Sequence, residues 1–344
     1  MNPATAAAAA VARHQAEDLL ARLTKPAGSL GALEELAVRL AGIERRCPPE
    51  PWPGAVAVFA ADHGVVASGV TPWPQEVTAQ MVANIAHGGA AISVLARQHD
   101  LRLVVIDVGV AAEIEPTDDV WVHKVRHGSA DLAVGPALTP AEVDSALVVG
   151  VDVASRLVSS GARCLLTGEM GIGNTTPAAA VIAAFTGCEP DACVGRGTGI
   201  DDVMLAHKRA VVGSALARVG ADASPARVLS EVGGLEIAAL AGYIVGGARA
   251  GVPVLLDGVI TLAAACAAEK MWPGTMQSCV ASHRSVEPGA SVALEHLGLD
   301  PLIDLGMRLG EGSGAATAYP LLVSAARLLG EMATFDGAGV TEKD

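Results

Sequence analysis

Residues 163–177 read Arg163-Cys-Leu-Leu-Thr-Gly-Glu-Met-Gly-Ile-Gly-Asn-Thr-Thr-Pro177. The first five residues have the make-up of a short strand. Glycines at 168, 171 and 173 supply a turn, Thr176 suits a helix N-cap, and Pro177 suits the first helical position. The same order of strand, turn and helix recurs along the chain. Apolar runs of strand length fall at 55–61, 101–108 and 252–256, and helical spacing at 76–98, 140–160, 202–219, 260–270 and 315–332. The strands show no inside/outside alternation, so they predict a mainly parallel sheet covered on both faces, a doubly wound α/β fold. Ligands of such sheets bind at the carboxyl ends of strands. Here those ends are Asp62-His63-Gly64, Asp107-Val108-Gly109, Gly168-Glu169 and Asp257-Gly258.

The amino-terminal fifty residues read as helical at 16–23 and 33–43, punctuated by Pro26, Gly28 and Gly31. A proline-rich boundary follows at 47–53. The tail at 336–344 is polar and is expected to fray. Of the 344 residues, 51% are hydrophobic and 17% charged, against roughly 25% charged in an average soluble domain. The apolar excess consists of small side chains: 66 residues are Ala and 39 Gly, and aromatics make up 3%. A spanning helix needs about 20 mainly apolar residues. The uncharged stretch 170–188 carries Asn174, Thr175, Thr176 and Pro177 near its start, and the stretches at 237–248 and 258–268 are short. The apolar 6–12 segment has no basic flank before it, unlike a signal peptide. The expectation is a soluble cytoplasmic protein. A net charge of −14 argues against a nucleic-acid partner, though not against a local anion pocket. The six cysteines form no C-x-x-C pair and read as inert thiols.

Glycines before a helix N-terminus expose backbone N–H groups to an anion. The 168–177 spacing mimics a P-loop, but Asn174 stands where the lysine belongs. A triphosphate would lose its main charge partner there, and a single phosphate fits better. A tight turn is the plainer reading, and Glu169 beside it argues for a role. A second glycine-rich segment, Leu309-Gly-Glu-Gly-Ser-Gly-Ala315, opens another helix, with Arg308 before it and Glu311 between glycines; a glycine hinge is the alternative. Asp62 and His63 could suggest a metal, but no third ligand is near. His283 reads as an ordinary hydrogen-bonding residue. Arg196-Gly-Thr-Gly199 and Lys208 could supply positive charge to an anion pocket.

Together these segments resemble one family, the nicotinate-nucleotide–dimethylbenzimidazole phosphoribosyltransferases of the cobalamin lower-ligand pathway. The resemblance runs over nearly the whole chain. It rests on Leu23-Thr-Lys-Pro-Ala-Gly-Ser-Leu-Gly31, Ala61-Asp-His-Gly64, Pro74-Gln-Glu-Val-Thr-Ala-Gln-Met81, Gly168-Glu-Met-Gly-Ile-Gly-Asn-Thr-Thr176, Asp257-Gly258, Ser282-His-Arg-Ser285 and Arg308-Leu-Gly-Glu-Gly-Ser-Gly314. Ala27 stands where many relatives have a second proline. The resemblance implies transfer of the 5-phosphoribosyl group of nicotinate mononucleotide to 5,6-dimethylbenzimidazole. The products would be α-ribazole 5′-phosphate and nicotinate, with inversion at the anomeric carbon. By the same resemblance Glu311 is the general base and Glu169 the second acidic residue. The phosphate and ribose would be held by Gly171, Gly173, Asn174, Thr175, Gly197, Lys208, Gly258, Ser285 and Arg308, and the acceptor base by Gln80 and Leu309. No cofactor or metal, no nucleic acid and no membrane are implied, and a homodimer is. The expected organisation is a Rossmann-like core of 51–299 and a smaller helical domain of 1–50 with about 300–344, the site lying between them.

The chemistry suits such residues. A pyridinium leaves neutral, so no strong acid is needed on that side. An oxocarbenium-like transition state is stabilised by a nearby carboxylate. The attacking benzimidazole becomes cationic and must lose a proton, which calls for a positioned base. Adenine or another base as acceptor, a dinucleotide-dependent oxidoreductase and a non-catalytic nucleotide-binding protein are the alternatives. The oxidoreductase would need G-x-G-x-x-G after the first strand, where this chain has Ala61-Asp-His-Gly64.

Overall fold

Strand β1 (Gly54–Ala61) is buried along its whole length, and its alternate residues enter two different cores. Ala55, Ala57, Phe59 and Ala61 face one side; Val56, Val58 and Ala60 face the other. A strand covered on both faces has no polar side to display, which is why the sequence shows no alternation. The computed structural model describes residues 3–197, 199–220 and 222–341. Thr198, within the 196–199 segment, and residues 342–344 of the tail lie outside the described residues.

The remaining strands are β2 (Arg102–Gly109), β3 (Val120–Val122), β4 (Cys164–Met170), β5 (Val254–Leu256) and β6 (Cys279–Ala281). They form one six-stranded parallel sheet in the order β3-β2-β1-β4-β5-β6. This is the doubly wound order, with its switch point between β1 and β4. The helices are α1 (Pro3–Arg22), α2 (Ala32–Glu44), α3 (Glu76–Ala86), α4 (Ala91–Gln98), α5 (Pro140–Ser159), α6 (Thr175–Thr186), α7 (Pro190–Cys193), α8 (Asp202–Val219), α9 (Pro225–Val232), α10 (Leu235–Ala250), α11 (Val259–Met271), α12 (Pro288–Leu297), α13 (Ser313–Glu331) and α14 (Phe335–Ala338). Buried residues of α5, α6 and α8 to α12 share the core of Phe59; those of α1 to α4 and α13 share the core of Val58.

The alanine and glycine excess lies in these layers. Where α5 crosses α10 the backbones touch: a Cβ on Gly150 would stand 1.8 Å from Ala239 O, and one on Gly242 2.0 Å from Leu147 O. Only glycine permits that approach.

Several boundaries differ from the sequence reading. Helix α1 starts at Pro3 rather than near 16, because the alanine run has the strongest helix propensity of all. The 76–98 segment is two helices, broken at residues 87–90, where Gly88 takes φ 84°. By length and composition that segment could cross a membrane; here both halves pack into the core of Val58. Strand β4 runs on to Met170, so Glu169 belongs to the strand. Helix α6 begins at Thr175, with Asn174 rather than Thr176 at the cap position, and Asn174 has helical dihedrals and does not cap. Thr334 caps the short helix α14 where the polar tail predicts fraying. Cys188 and Cys193 form a disulfide rather than two inert thiols, because Gly187 ends α6 and the chain folds straight into α7.

Candidate active site

From β1 the chain winds to one side of the sheet and from β4 to the other, which leaves a crevice beyond their carboxyl ends. The 171–174 turn lines it. A Cβ on Gly171 would stand 2.4 Å from Ala61 O, so the turn lies directly on the end of β1. Ile172 N donates to Thr78 Oγ1 of α3 at 3.1 Å. The turn then enters α6, whose N-terminus favours an anion.

The cation missing from the P-loop-like motif arrives from elsewhere in the chain. Lys208 of α8 is 2% exposed. Its Nζ donates to Thr175 Oγ1 at 2.7 Å and to Gly195 O at 3.3 Å. Burial lowers its pKa to about 8, partly offset by Glu287. Asn174, at the motif's lysine position, turns back and donates from Nδ2 to Glu169 Oε2. Near Lys208, Gly197 is pinned from two sides. Gly197 N donates to Glu287 Oε1 at 2.8 Å, and Arg308 Nη1 donates to Gly197 O at 3.0 Å.

Glu311 occupies an unusual backbone. Its φ is 64°, between Gly310 at 86° and Gly312 at 88°. A non-glycine residue held there costs on the order of 1–3 kcal/mol and marks a position fixed by its surroundings. Those surroundings are explicit. Asp257 Oδ2 accepts from Gly312 N at 3.1 Å and Oδ1 from Ala315 N at 3.0 Å. Thr167 Oγ1 accepts from Asp257 N at 2.9 Å and so ties this cap to β4. A Cβ on Gly168 would stand 2.7 Å from Glu311 O. The Glu311 side chain is buried, and its Oε2 has no hydrogen-bond partner among the described residues. Burial raises its pKa and Asp257 adds to this, while a hydrogen bond from the Ile92 backbone opposes it.

Glu169 stands beside it. Burial, Asp257, Glu236 and Glu311 push its pKa up to about 8, against the Asn174 hydrogen bond. The crevice therefore holds buried carboxylates that repel one another and favour a cation or a proton among them. Lys208, by contrast, faces the helix N-terminus. The site is acidic at one end and basic at the other.

Of the residues picked from the sequence, Thr175, Gly197, Lys208 and Arg308 come together through the bonds above, with Gly171, Gly173 and Asn174 in the adjoining turn. Gly258 and Ser285 approach each other over His283: a Cβ on Gly258 would stand 3.7 Å from the ring and 3.9 Å from Ser285 Cβ. Glu169 and Glu311 meet at Gly310, where a Cβ would stand 2.3 Å from Glu169 Oε1. Gln80 is exposed on α3, and Leu309 is 59% exposed. Sequence reasoning passes over Glu287, which binds Gly197, and over Thr78, which holds the turn. It marks Asp257 only as a strand end. Nothing in the local sequence singles out Thr78; Glu287 lies inside a polar turn where His283 is the more conspicuous residue.

The sequence matches the Phosphoribosyltransferase family over residues 5–340. It is 55% identical to the nicotinate-nucleotide–dimethylbenzimidazole phosphoribosyltransferase of Salinispora tropica, covering 95% of this chain and 94% of that one. It is 51% identical to the enzyme of the same name from Thermus thermophilus, covering 95% and 97%. The crystal structure of CobT from Thermus thermophilus superposes with a TM-score of 0.95 at 50% identity, over 97% of this chain and 100% of that one. A fold, a crevice and a sequence that agree over nearly the full length leave one assignment: the chain belongs to the nicotinate-nucleotide–dimethylbenzimidazole phosphoribosyltransferase family.

Proposed function

We propose that this protein transfers the 5-phosphoribosyl group of nicotinate mononucleotide to 5,6-dimethylbenzimidazole. The observation that carries the reading is Glu311 Oε2, buried and unpartnered among the described residues, in a strained turn beside Glu169. A benzimidazole nitrogen attacks the anomeric carbon from the face opposite the leaving group. The bond from that carbon to the pyridinium nitrogen breaks, and its electron pair stays on nicotinate. The other benzimidazole nitrogen gives its proton to Glu311. A positioned base of this kind contributes typically ~10²–10⁴-fold. Glu169 faces the positive charge that develops on the ribose, and that charge favours its ionised form. The phosphate is held by the 171–175 turn with Lys208, Gly197 and Arg308, alongside Gly258 and Ser285. Gln80 and Leu309 line the side from which the acceptor enters.

The proposed organisation is a core of 51–299 and a smaller helical unit of 1–50 with about 300–344; α1, α2 and α13 pack against one another and onto the Val58 face of the sheet. A homodimer and a cytoplasmic setting complete the reading. The test is nicotinate release from nicotinate mononucleotide in the presence of dimethylbenzimidazole. Wild-type protein should release nicotinate and form α-ribazole 5′-phosphate, and Glu311→Gln should lose at least about a hundredfold in kcat. Undiminished activity in that variant would remove Glu311 from the mechanism. Adenine in place of dimethylbenzimidazole measures how far the acceptor slot discriminates.

A further inference from the structure

Behind the 171–174 turn lies a buried pair that the transfer reaction leaves unused. His63 follows β1 and is 1% exposed; Glu236, in the first turn of α10, is fully buried. His63 Nε2 and Glu236 Oε1 are 3.0 Å apart. Neither carboxylate oxygen and neither ring nitrogen has a further hydrogen-bond partner among the described residues. A buried carboxylate without other partners is strongly disfavoured unless a cation lies beside it. Burial disfavours the imidazolium, but Glu236 and then Asp62 outweigh it and raise the ring's pKa.

The ring is wedged between two glycine backbones. A Cβ on Gly171 would stand 3.2 Å from His63 Nε2. A Cβ on Gly234 would stand 2.6 Å from His63 Cε1 and 2.6 Å from Glu236 Oε2. The imidazole is thus the floor on which the turn rests, and Glu236 fixes its rotation. The charged groups that bear on the ring are Glu236 from α10 and Asp62 from its own segment. Glu236 also bears on Glu169 of β4.

We propose that His63 is a positioning residue: paired with Glu236, its ring seats the 171–174 turn, already tied to Thr78 by Ile172 N, so that the turn's uncommitted backbone amides and the N-terminus of α6 face a phosphate. This rests on the phosphate reading of the turn given above. Loss of the pair frees the ring or its replacement to rotate, and the Gly171 backbone loses its support. Amide donors displaced by a fraction of an ångström bind an anion less well, without any change in the acceptor slot.

The test uses His63→Gln, Glu236→Gln and the double variant, with circular dichroism and thermal melting to establish folding. Binding of inorganic phosphate and of nicotinate mononucleotide is measured by calorimetry, and KM is determined for both substrates. Each single substitution should weaken phosphate and nucleotide binding about tenfold, leave the acceptor KM unchanged, and lose nothing further in the double variant, since paired residues act as a unit. Unchanged phosphate affinity in a folded single variant overturns the proposal. So do additive losses in the double variant, or a uniform fall in every parameter. Glu236→Gln is nearly isosteric and carries the same test if His63→Gln does not fold. Phosphate binding is read without turnover. A wild-type protein that binds phosphate but releases no nicotinate sinks the transferase reading and leaves this one intact, whereas a wild type that binds no phosphate sinks this one.

Discussion

Lys208 Nζ donates a hydrogen bond to Thr175 Oγ1 at 2.7 Å, and so a lysine from α8 sits at the N-terminus of α6. The two residues are far apart in sequence, yet together they rebuild the cationic corner of the proposed phosphate site, whose own loop lacks a lysine. An ammonium in this position is largely stripped of water and forms strong charge-assisted bonds with an arriving phosphate. Lys208→Met should therefore raise KM for nicotinate mononucleotide about 10–100-fold, the range expected for losing one hydrogen bond to a charged group. The acceptor KM should change little. Steady-state kinetics with each substrate varied in turn checks both statements.

The same lysine gives a pH dependence with a definite sign. Its pKa lies at about 8, lowered by burial. Above that pH the free enzyme loses the cation, so nucleotide affinity should fall as pH rises through about 8 and be intact below it. A bound phosphate raises the lysine pKa, so binding near pH 8 should take up a fraction of a proton. Calorimetry in buffers of different ionisation enthalpy measures that uptake, and Lys208→Met should abolish it.

Gly310 lies between the two proposed catalytic carboxylates. A Cβ there would stand 2.3 Å from Glu169 Oε1 at a φ of 86°. Gly310→Ala should displace Glu169, Glu311 or both, and lower kcat at least about tenfold. The loss in stability should be about 1–3 kcal/mol, from the backbone alone. Chemical denaturation and initial rates, taken on the same preparation, separate the two effects.

Glu169 is a carboxylate whose folded pKa is raised, to about 8, mainly by burial. The folded state then binds more protons than the unfolded chain between the two pKa values. Stability falls as pH climbs from the ordinary carboxylate range toward 8, by up to about 1.4 kcal/mol per unit of difference. Glu169→Gln removes that penalty. The variant should melt higher than wild type at pH 8 and much closer to it near pH 5, while losing activity at both. Melting curves across that range read the sign directly.

Much of the fold is readable because local and global preferences agree. Apolar runs of strand length, each followed by glycine and then a helical period, admit few arrangements other than a parallel sheet covered on both faces. Helix 202–219 lies where its pattern places it. The break in the 76–98 segment is harder to read, since two adjacent glycines inside an apolar period are compatible with one helix or two. Short edge strands such as β3 and β6 take their form from pairing with β2 and β5, and three residues carry too little pattern to announce them.

The sequence by itself determined the strand–turn–helix order, the glycine turns and the identities of Glu169, Lys208, Arg308 and Glu311 as the charges within the motifs. These are local properties, set by dihedral preference and by residue type. Only the tertiary structure decided which of these residues meet. It brought Lys208 to Thr175, set Glu169 against Gly310, placed Asp257 under the turn that strains Glu311, and hid the His63–Glu236 pair beneath Gly171. Such relationships depend on close approach between segments distant in sequence. Their consequences, a lysine and a glutamate both titrating near 8, come from burial and neighbouring charge, which arise only when the chain has folded.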